Sequence, residues 1–321
     1  MVAARTVRAA RLVEHGRPLE VATVPLSAPG AGDVVVEMAY AGVNPVDRYV
    51  TLGRVAPDGP LPRTAGVEGV GRVDGRWVAM HGHGLGTARD GLWAEAAVVP
   101  REALVDVPEG VDPVAAASVG VAGVTAWRTV TEVARVTPVD RVLVLGASGG
   151  VGSMVVSLVR SCGAEVWGQT GRPEKVAAVE AGGAMRVVVV DRADELAGAV
   201  AELRPTVVFD PLGGGFSGAA VDALEPRGRL VLFGTSADVR GEVPLQVLYR
   251  KGLSVLGYGG LSEPQEALHR GTVGALDALR DGRLAVATGS VLPLEAAQEA
   301  LDRLAARSAT GKLVLSLAGA T

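Results

Sequence analysis

Apolar and polar positions follow two different patterns along the chain, and the change between them falls near residue 120. In the first part, short runs of alternating apolar and polar side chains, such as Val34–Met38 and Trp77–Met80, lie among many glycine and proline turns. This pattern predicts a compact, mostly antiparallel β domain over residues 1–120. The stretch Ala115–Val136 has helical spacing and leads into the second pattern.

From Arg141 onward, apolar runs of strand length alternate with helical stretches and glycine-rich turns. The runs are 141–145, 164–170, 186–190, 206–210, 229–234 and 253–258. This alternation predicts an α/β domain over residues 121–258 that contains a doubly wound parallel sheet. Residues 259–321 indicate further helices and a final strand, Lys312–Leu317, which we expect to return to the first domain. The second domain would then be inserted in the first.

The stretch Arg141–Gly152, RVLVLGASGGVG, is the most informative in the chain. An almost fully apolar strand opens into a glycine-rich turn, and a helical pattern over 151–162 follows, which Gly163 stops. This order indicates a dinucleotide site, because the N-terminus of such a helix can hold phosphates. Gly149 would let the backbone approach a pyrophosphate, and Gly152 would let the helix pack closely on the strand.

The end of the second strand decides which dinucleotide is expected. An NAD site carries Asp or Glu there, to bind the ribose 2′-OH. Here the strand ends at Thr170, and Arg172 and Lys175 follow. Without the acid a 2′-phosphate is not repelled, and the two cations can pair with it, so we expect NADPH. Alternatively, both cations are solvated residues at the start of a helix. Glu174 would then interact favourably with the positive end of the helix dipole.

Composition argues against several other classes of protein. A net charge of −4 and an aromatic content of 3% give no basis for attraction to nucleic acid or to an anionic membrane. No uninterrupted apolar run is long enough for a transmembrane helix, and the first residues lack the apolar core of a signal peptide. The single cysteine, Cys162, excludes an internal disulfide. We therefore expect a cytoplasmic protein without nucleic-acid or membrane partners.

Several motifs together resemble one known family. They are Ala41–Tyr49, Gly66–Gly71, Gly123–Ala126, Ala147–Gly152, Asp210–Gly214 and Thr310–Leu315. Over almost its whole length the chain resembles the zinc-independent, NADPH-dependent quinone oxidoreductases (zeta-crystallin-like) of the medium-chain dehydrogenase/reductase superfamily. The resemblance implies a Rossmann domain inserted in a GroES-like, mostly β catalytic domain. It also implies a homodimer formed through edge strands around residues 253–258.

The resemblance further implies a set of site residues. In this family the nicotinamide lies near the Asn and Tyr of an Asn-x-x-Asp-x-Tyr segment, which are Asn44 and Tyr49 here. The predicted cofactor-binding residues include the glycine turn, the residues after the second strand and two cations near the C-terminus. They are Asn44, Thr125, Ala147, Ser148, Gly149, Gly150, Val151, Gly152, Gly171, Arg172, Lys175, Phe233, Ser236, Arg307 and Lys312. Many members have a Tyr after the third strand that touches adenosine, whereas this chain has Asp191.

The zinc enzymes of the same superfamily differ at their metal ligands. Their Gly-His-Glu segment corresponds to Gly66-Val67-Glu68 here, so the His ligand is Val67, and the position of their first Cys is close to Asn44. His81 and His83 are closely spaced, but no third ligand is near them, and catalytic zinc needs three protein ligands. We therefore expect no metal site.

These observations predict a reductase. Without a metal to lower the pKa of an alcohol, hydride donation to an already polarised acceptor demands least from the protein. We expect reduction of an activated C=C bond, in an enone or enoyl thioester, or of a quinone. Tyr49 is the candidate to hydrogen-bond the acceptor oxygen or to donate a proton, and otherwise packs as a wall residue. Asn44 is expected to orient the cofactor or substrate, or else to be a turn residue, and Asp47 to be structural.

Three alternatives remain open from sequence. The first is an NADPH-binding protein without significant catalysis, in a crystallin-like or sensory role, which would bind nucleotide but reduce no acceptor. The second is a zinc alcohol dehydrogenase, which elemental analysis would detect. The third is RNA binding, which the acidic balance and the scarcity of aromatic side chains disfavour.

Overall fold

The computed structural model describes residues 5–306, 309 and 311–317, which fall into two compact units. The first unit comprises the chain up to Val124, Glu263–Arg280 and the residues from Val286 onward. The second comprises Thr125–Ser262 and Asp281–Ala285. Both changes of unit come slightly later than the sequence prediction, which placed them after residues 120 and 258. The short stretch 281–285 belongs to the second unit rather than to the returning tail.

Short antiparallel strands make up the N-terminal part of the first unit. Its elements are β1 (Thr6–Leu12), β2 (Glu20–Pro25), β3 (Asp33–Val43), α1 (Pro45–Thr51), β4 (Arg63–Thr64), β5 (Glu68–Val73), β6 (Arg76–His81), β7 (Ala96–Pro100), β8 (Leu104–Asp106) and α2 (Pro113–Ala116). One sheet has the order β2-β1-β4; in the larger sheet β3, β5, β6 and β8 follow one another, and β7 also pairs with β3. The alternation in β3 buries Val34, Val36 and Met38. Their burial explains why this stretch folds as a half-buried strand.

The stretch Ala115–Val136, which was predicted to be helical, is mostly helical but is divided into separate segments. A new helix, α3, covers Val121–Arg128, and a π-helical turn follows over Thr129–Val133. The break has a physical cause at Gly120, where an added Cβ would lie 2.4 Å from Oε2 of Glu68. The same carboxylate oxygen accepts a hydrogen bond from the Val121 N–H. Because a side chain takes this N–H, a helix begins here instead of continuing from α2.

Strands and helices alternate through the second unit. They are β9 (Arg141–Val144), α4 (Gly150–Ser161), β10 (Glu165–Thr170), α5 (Val176–Ala181), β11 (Arg186–Val189), α6 (Leu196–Ala199), β12 (Val207–Asp210), α7 (Gly215–Ala223), β13 (Arg229–Leu232), α8 (Leu245–Lys251) and β14 (Ser254–Gly257). Across the described residues the strands form one parallel sheet in the order β11-β10-β9-β12-β13-β14. This order is that of a dinucleotide-binding Rossmann sheet, and it brings the carboxyl ends of all these strands to one edge.

The last part of the chain returns to the first unit. It contains α9 (Gln265–Arg280), β15 (Thr288–Pro293), α10 (Ala297–Ala305) and β16 (Lys312–Ser316). β16 pairs antiparallel with β3, where Leu313 lies opposite Val43, and parallel with β15. The predicted fold class, a doubly wound parallel sheet inserted in a mostly β domain, is therefore confirmed. None of the helices in the described chain has the length and apolar character to cross a membrane.

Candidate functional site

The segment Gly146–Gly152, called the glycine turn below, connects β9 to α4. Gly146 has a φ of +59°, a left-handed conformation that favours glycine, and its carbonyl accepts the Gly149 N–H at 2.9 Å. A Cβ on Gly152 would lie 2.3 Å from the Gly146 oxygen and 2.9 Å from the Ala147 Cα. Only glycine allows α4 to lie this close to the turn, which confirms the packing reason given for Gly152 from sequence.

Dinucleotide-binding turns commonly have the motif Gly-x-Gly-x-x-Gly, and Ala147 stands here in place of its first glycine. Ala147 is accommodated by a glycine on the neighbouring strand. It is fully buried, and a Cβ added to Gly168 of β10 would lie 2.9 Å from the Ala147 Cβ. The methyl group thus occupies space that a side chain at residue 168 would otherwise need. The departure from the strict motif therefore leaves the turn itself intact.

The N-terminus of α4 is suited to an anion. Its N-cap is Gly149, and within the described residues no side chain caps the helix. The backbone N–H groups of Gly150, Val151 and Gly152 belong to the first turn, where a helix offers no acceptor of its own. These N–H groups and the positive end of the helix dipole can therefore bind a phosphate.

The strand end expected to select the dinucleotide carries hydroxyls and cations. The Thr170 hydroxyl lies 3.4 Å from that of Ser148 and accepts the Arg172 N–H at 3.3 Å. Arg172 is exposed, while burial, and next the charge of Arg172, lowers the pKa of Lys175. Two cations that repel each other favour an anion between them. One carboxylate is close by, because a Cβ on exposed Gly171 would lie 3.5 Å from the Asp191 Cβ.

The other predicted cofactor residues follow neighbouring strands of the second unit. The Phe233 N–H donates to the Asp210 carbonyl at 3.1 Å, and the Ser236 N–H donates to the Pro211 carbonyl at 3.0 Å. The loops after β12 and β13 are thus bonded to each other at the carboxyl edge of the sheet. Thr125 is buried on α3. Arg307 lies outside the described residues.

Four side chains of the first unit form a buried polar cluster: Asn44, Asp47, Glu68 and Lys312. The Lys312 Nζ lies 2.8 Å from Oε1 of Glu68 and also donates to Oδ1 of Asn44 and to the Val43 carbonyl. Burial alone would raise the pKa of Glu68, but the Lys312 charge and the hydrogen bonds to Glu68 lower it below its ordinary value. The Lys312 ammonium already has three acceptors and is almost fully buried. Its assignment as a cofactor-binding residue stays a prediction.

Asn44 is more constrained than the sequence suggested. Its Nδ2 donates to Oε1 of Glu68 at 2.6 Å, and its Oδ1 accepts from Lys312. The amide oxygen is therefore unavailable to a cofactor or substrate, and only one N–H of the amide is left to donate. Its role towards a ligand stays a prediction, now limited to that N–H.

Asp47 and Tyr49 lie on α1, directly after Asn44. Asp47 accepts the N–H groups of Asn44 at 2.8 Å and Val67 at 3.1 Å, which confirms its expected structural role. Burial, and next the charge of Glu68, raises the pKa of Asp47 to about 7. Tyr49 is half-buried, and the part of the chain that is described offers its hydroxyl no hydrogen-bond partner. That hydroxyl can therefore donate to a ligand.

The histidines of the first unit do not form a metal centre with other residues. His81 lies opposite Glu68 in the β5–β6 pair, and burial lowers its pKa. Nδ1 of His83 lies 3.3 Å from Oε1 of Glu102. No group of three or more His, Cys, Asp or Glu within residues 5–306, 309 and 311–317 could hold a metal ion. A metal-free site stays a prediction.

Two residues that organise these sites, Glu68 and Gln169, had no role in the sequence prediction. Glu68 is a single carboxylate at the start of a buried strand, and Lys312 is one of only three lysines in an arginine-rich chain. Arg72, the other charge of β5, is exposed, so Glu68 is the buried charge of that strand and Lys312 that of β16. Opposite charges at the starts of two apolar strands are a signal that the two charges pair. Gln169 gave no signal, because its partners are backbone groups.

Known proteins resemble this chain over nearly its whole length. A family model described as zinc-binding dehydrogenase matches residues 150–271. Prostaglandin reductase-3 of Bos taurus is 29% identical over 91% of this chain and 83% of its own length. For the quinone oxidoreductase of Sus scrofa the identity is also 29%, over 92% of each chain. The quinone oxidoreductase of Thermus thermophilus, solved alone and with NADPH, is 31% identical with a TM-score of 0.84, and the match covers 97% of this chain and 100% of that one.

Replacing Lys312 should test the buried polar cluster. In Lys312→Met, Glu68 keeps its charge without a counterion, so we expect a loss of about 3–5 kcal/mol in the free energy of unfolding, measured with urea. Lys251→Met is the matched control, because the Lys251 ammonium also donates to two carbonyls, of Asp222 and Leu224, but at the surface. In Lys251→Met the free energy of unfolding should fall by less than about 1.5 kcal/mol. Equal losses in the two variants would contradict the assigned pairing.

Asp47 should give the protein a measurable pH dependence. Its pKa rises from 3.8 unfolded to about 7 folded, so the folded state binds the extra proton between these values. The contribution of Asp47 to stability therefore falls as pH rises through this range. Relative to Asp47→Asn, wild type should lose about 2–3 kcal/mol of unfolding free energy between pH 5 and pH 8. A difference that stays constant with pH would contradict the assignment.

Proposed function

Because the chain belongs to the zeta-crystallin-like quinone oxidoreductase family of the medium-chain dehydrogenase/reductase superfamily, we propose that it is an NADPH-dependent reductase that works without a metal. Its acceptor is an activated C=C bond, in an enone or enoyl thioester, or a quinone. The observation that carries this proposal is the uncapped N-terminus of α4 beside a strand end that has Thr170, Arg172 and Lys175 instead of an acid.

The second unit supplies the groups that would hold the dinucleotide. The first N–H groups of α4 bind the pyrophosphate, and Arg172 and Lys175 bind the 2′-phosphate. The loops that contain Phe233 and Ser236 are bonded to the neighbouring loop after β12, so they present a fixed backbone edge. Ser148 and Thr170 add hydroxyl donors. When bound, the dinucleotide supplies the hydride.

The first unit supplies the groups proposed to act on the acceptor. The Tyr49 hydroxyl donates to the acceptor oxygen, which gains negative charge as hydride reaches the β-carbon of an enone. The enolate then takes a proton at the α-carbon, whereas a quinone is protonated on oxygen. Asn44 donates its remaining amide N–H, and the buried polar cluster prevents this amide from rotating. Preorganised donors of this kind need no rearrangement during the reaction.

The acceptor classes fit the names of the relatives, which include quinone oxidoreductases and a prostaglandin reductase. Val67 stands where the zinc enzymes of the superfamily have a histidine ligand, which supports the metal-free proposal. We place the protein in the cytoplasm, where NADPH is abundant. There the single thiol of Cys162, whose pKa is raised by burial, would stay reduced.

The oligomer that we propose is a homodimer joined through β14. This strand lies at one edge of the sheet, and unpaired edges readily pair with a second chain. Around it, Val239, Leu245, Tyr249, Val255 and Leu261 are large apolar side chains exposed to solvent. A second copy of the chain would cover exposed apolar side chains of this kind.

A charge on β14 should disrupt this dimer. Val255→Lys should halve the mass measured by light scattering, because lysine at a paired edge would be buried without a counterion. Val189→Lys is the matched control, since Val189 on the opposite edge, β11, is 44% exposed and Val255 is 46% exposed. Wild type that runs as a monomer, or equal masses for both variants, would contradict the proposed interface.

Turnover with a panel of acceptors should test the function. NADPH oxidation, followed at 340 nm, is expected with 2-alkenals, enoyl thioesters or 1,4-quinones, and NADH should be slower. Arg172→Ala/Lys175→Ala should raise the KM for NADPH by about 10–100-fold and leave that for NADH unchanged, because two charged contacts to the 2′-phosphate are lost.

Two outcomes would overturn parts of this proposal. If NADPH binds but no acceptor is reduced, the protein binds nucleotide without catalysis. A faster rate with NADH would remove the assignment of Arg172 and Lys175 and would implicate Asp191 as the acid that binds the ribose.

A further inference from the structure

Gln169 is a buried polar side chain at the carboxyl edge of the second unit's sheet. It is the penultimate residue of β10, between β9 and β11, and its exposed fraction is 2%. Its Oε1 accepts the Gly146 N–H at 2.8 Å, and its Nε2 donates to the Val190 carbonyl. Its own carbonyl accepts the Ala147 N–H at 2.9 Å. One residue thus bonds the end of the first strand and the end of the third.

The bond to Gly146 matters because β9 stops pairing with β10 at this point. Val144 is the last residue of β9 in register with β10, opposite Gly168. At Gly146 the chain turns out of the strand with a left-handed φ, so the Gly146 N–H has no backbone acceptor on β10. Oε1 of Gln169 accepts this N–H instead. A buried N–H without an acceptor costs about 1–3 kcal/mol. Gln169 therefore removes the free-energy cost that an unbonded Gly146 N–H would otherwise add in this conformation.

The orientation of Gly146 determines the position of the rest of the glycine turn. The Gly146 carbonyl accepts the Gly149 N–H, and it is the group against which Gly152 packs. If the Gly146 peptide rotated, both contacts would be lost and the first turn of α4 would move. The side chain of Gln169 is thus linked, through one peptide, to the N–H groups that would bind the pyrophosphate.

We propose that Gln169 is a positioning residue for dinucleotide binding, which holds the glycine turn in the conformation that binds pyrophosphate. This inference rests on the proposed function, because it assumes that a dinucleotide is the ligand. Gln169 does not touch the dinucleotide in this role.

Binding measurements on Gln169→Leu should test the proposal. Leucine fills similar space without either hydrogen bond, so we expect the Kd for NADPH, from fluorescence titration, to rise at least 10-fold. The Kd for ADP, which has a diphosphate, should rise similarly, and that for 2′-AMP, which has none, less than 3-fold. In turnover, the KM for NADPH should rise while kcat and the KM for the acceptor stay within 2-fold.

Gln298→Leu is the matched control, because Oε1 of Gln298 also accepts a backbone N–H, that of Leu19, at 2.9 Å in the first unit. It should leave all three Kd values unchanged. An unchanged Kd for NADPH in folded Gln169→Leu, or an equal weakening of 2′-AMP and ADP, would overturn the proposal. If wild type binds no NADPH, the proposed function fails first, so the two failures are distinguishable.

Hydrogen exchange on wild type keeps the proposal testable if Gln169→Leu does not fold. Without nucleotide, the Gly146 amide should exchange at least 100-fold more slowly than those of Gly150 and Val151, because only Gly146 has a buried acceptor. NADPH should then slow exchange at Gly150 and Val151 and leave Gly146 unchanged. Exchange at Gly146 as fast as at Gly150 would overturn the inference.

Discussion

The buried pair of Glu68 and Lys312 is the interaction on which the first unit depends. The Glu68 carboxylate fits closely between two glycines. A Cβ at Gly42 would lie 1.9 Å from Oε1, and one at Gly120 would lie 2.4 Å from Oε2. The carboxylate binds Lys312, the Asn44 amide and the Val121 N–H, and so joins the ends of β3 and β16 to the start of α3. A buried charge is tolerated only when its counterion and hydrogen bonds are all present. The same requirement that keeps this unit folded therefore also fixes Asn44, the side chain proposed to face the acceptor.

The second unit is organised in a comparable way by polar side chains at strand ends. Gln169 holds the turn after β9, and Asp210 holds the turn after β12, where it accepts the N–H groups of Leu212 and Gly213 and the Ser217 hydroxyl. Both side chains are buried, and both bond loop backbone that has left the sheet. A parallel sheet leaves its last N–H groups unpaired where its strands diverge, and a carboxylate or an amide there supplies the missing acceptor. Loops held in this way can present their backbone to a ligand without first becoming ordered.

The sequence predicted what depends on local pattern and failed where a distant partner decides. The strands from Arg141 to Gly257 and the packing role of Gly152 followed from apolar runs and glycine spacing, because each is decided by near neighbours. The division of the helical stretch Ala115–Val136 could not be predicted, because Glu68, which takes the Val121 N–H, lies far from it in the chain. The pairing of Lys312 could not be predicted, because its carboxylate partner, Glu68, precedes it by 244 residues. The space that Ala147 needs could not be predicted either, because Gly168, which provides it, lies on another strand.

The discontinuity of the first unit has a consequence for the order in which the chain can fold during synthesis. Nearly all of the second unit is contiguous, from Thr125 to Ser262, so most of it can fold as it leaves the ribosome. The first unit cannot close its sheet until β16 has emerged, because Lys312 is the counterion of Glu68. The N-terminal part of this chain, although made first, therefore cannot complete its native structure until β16 has been made.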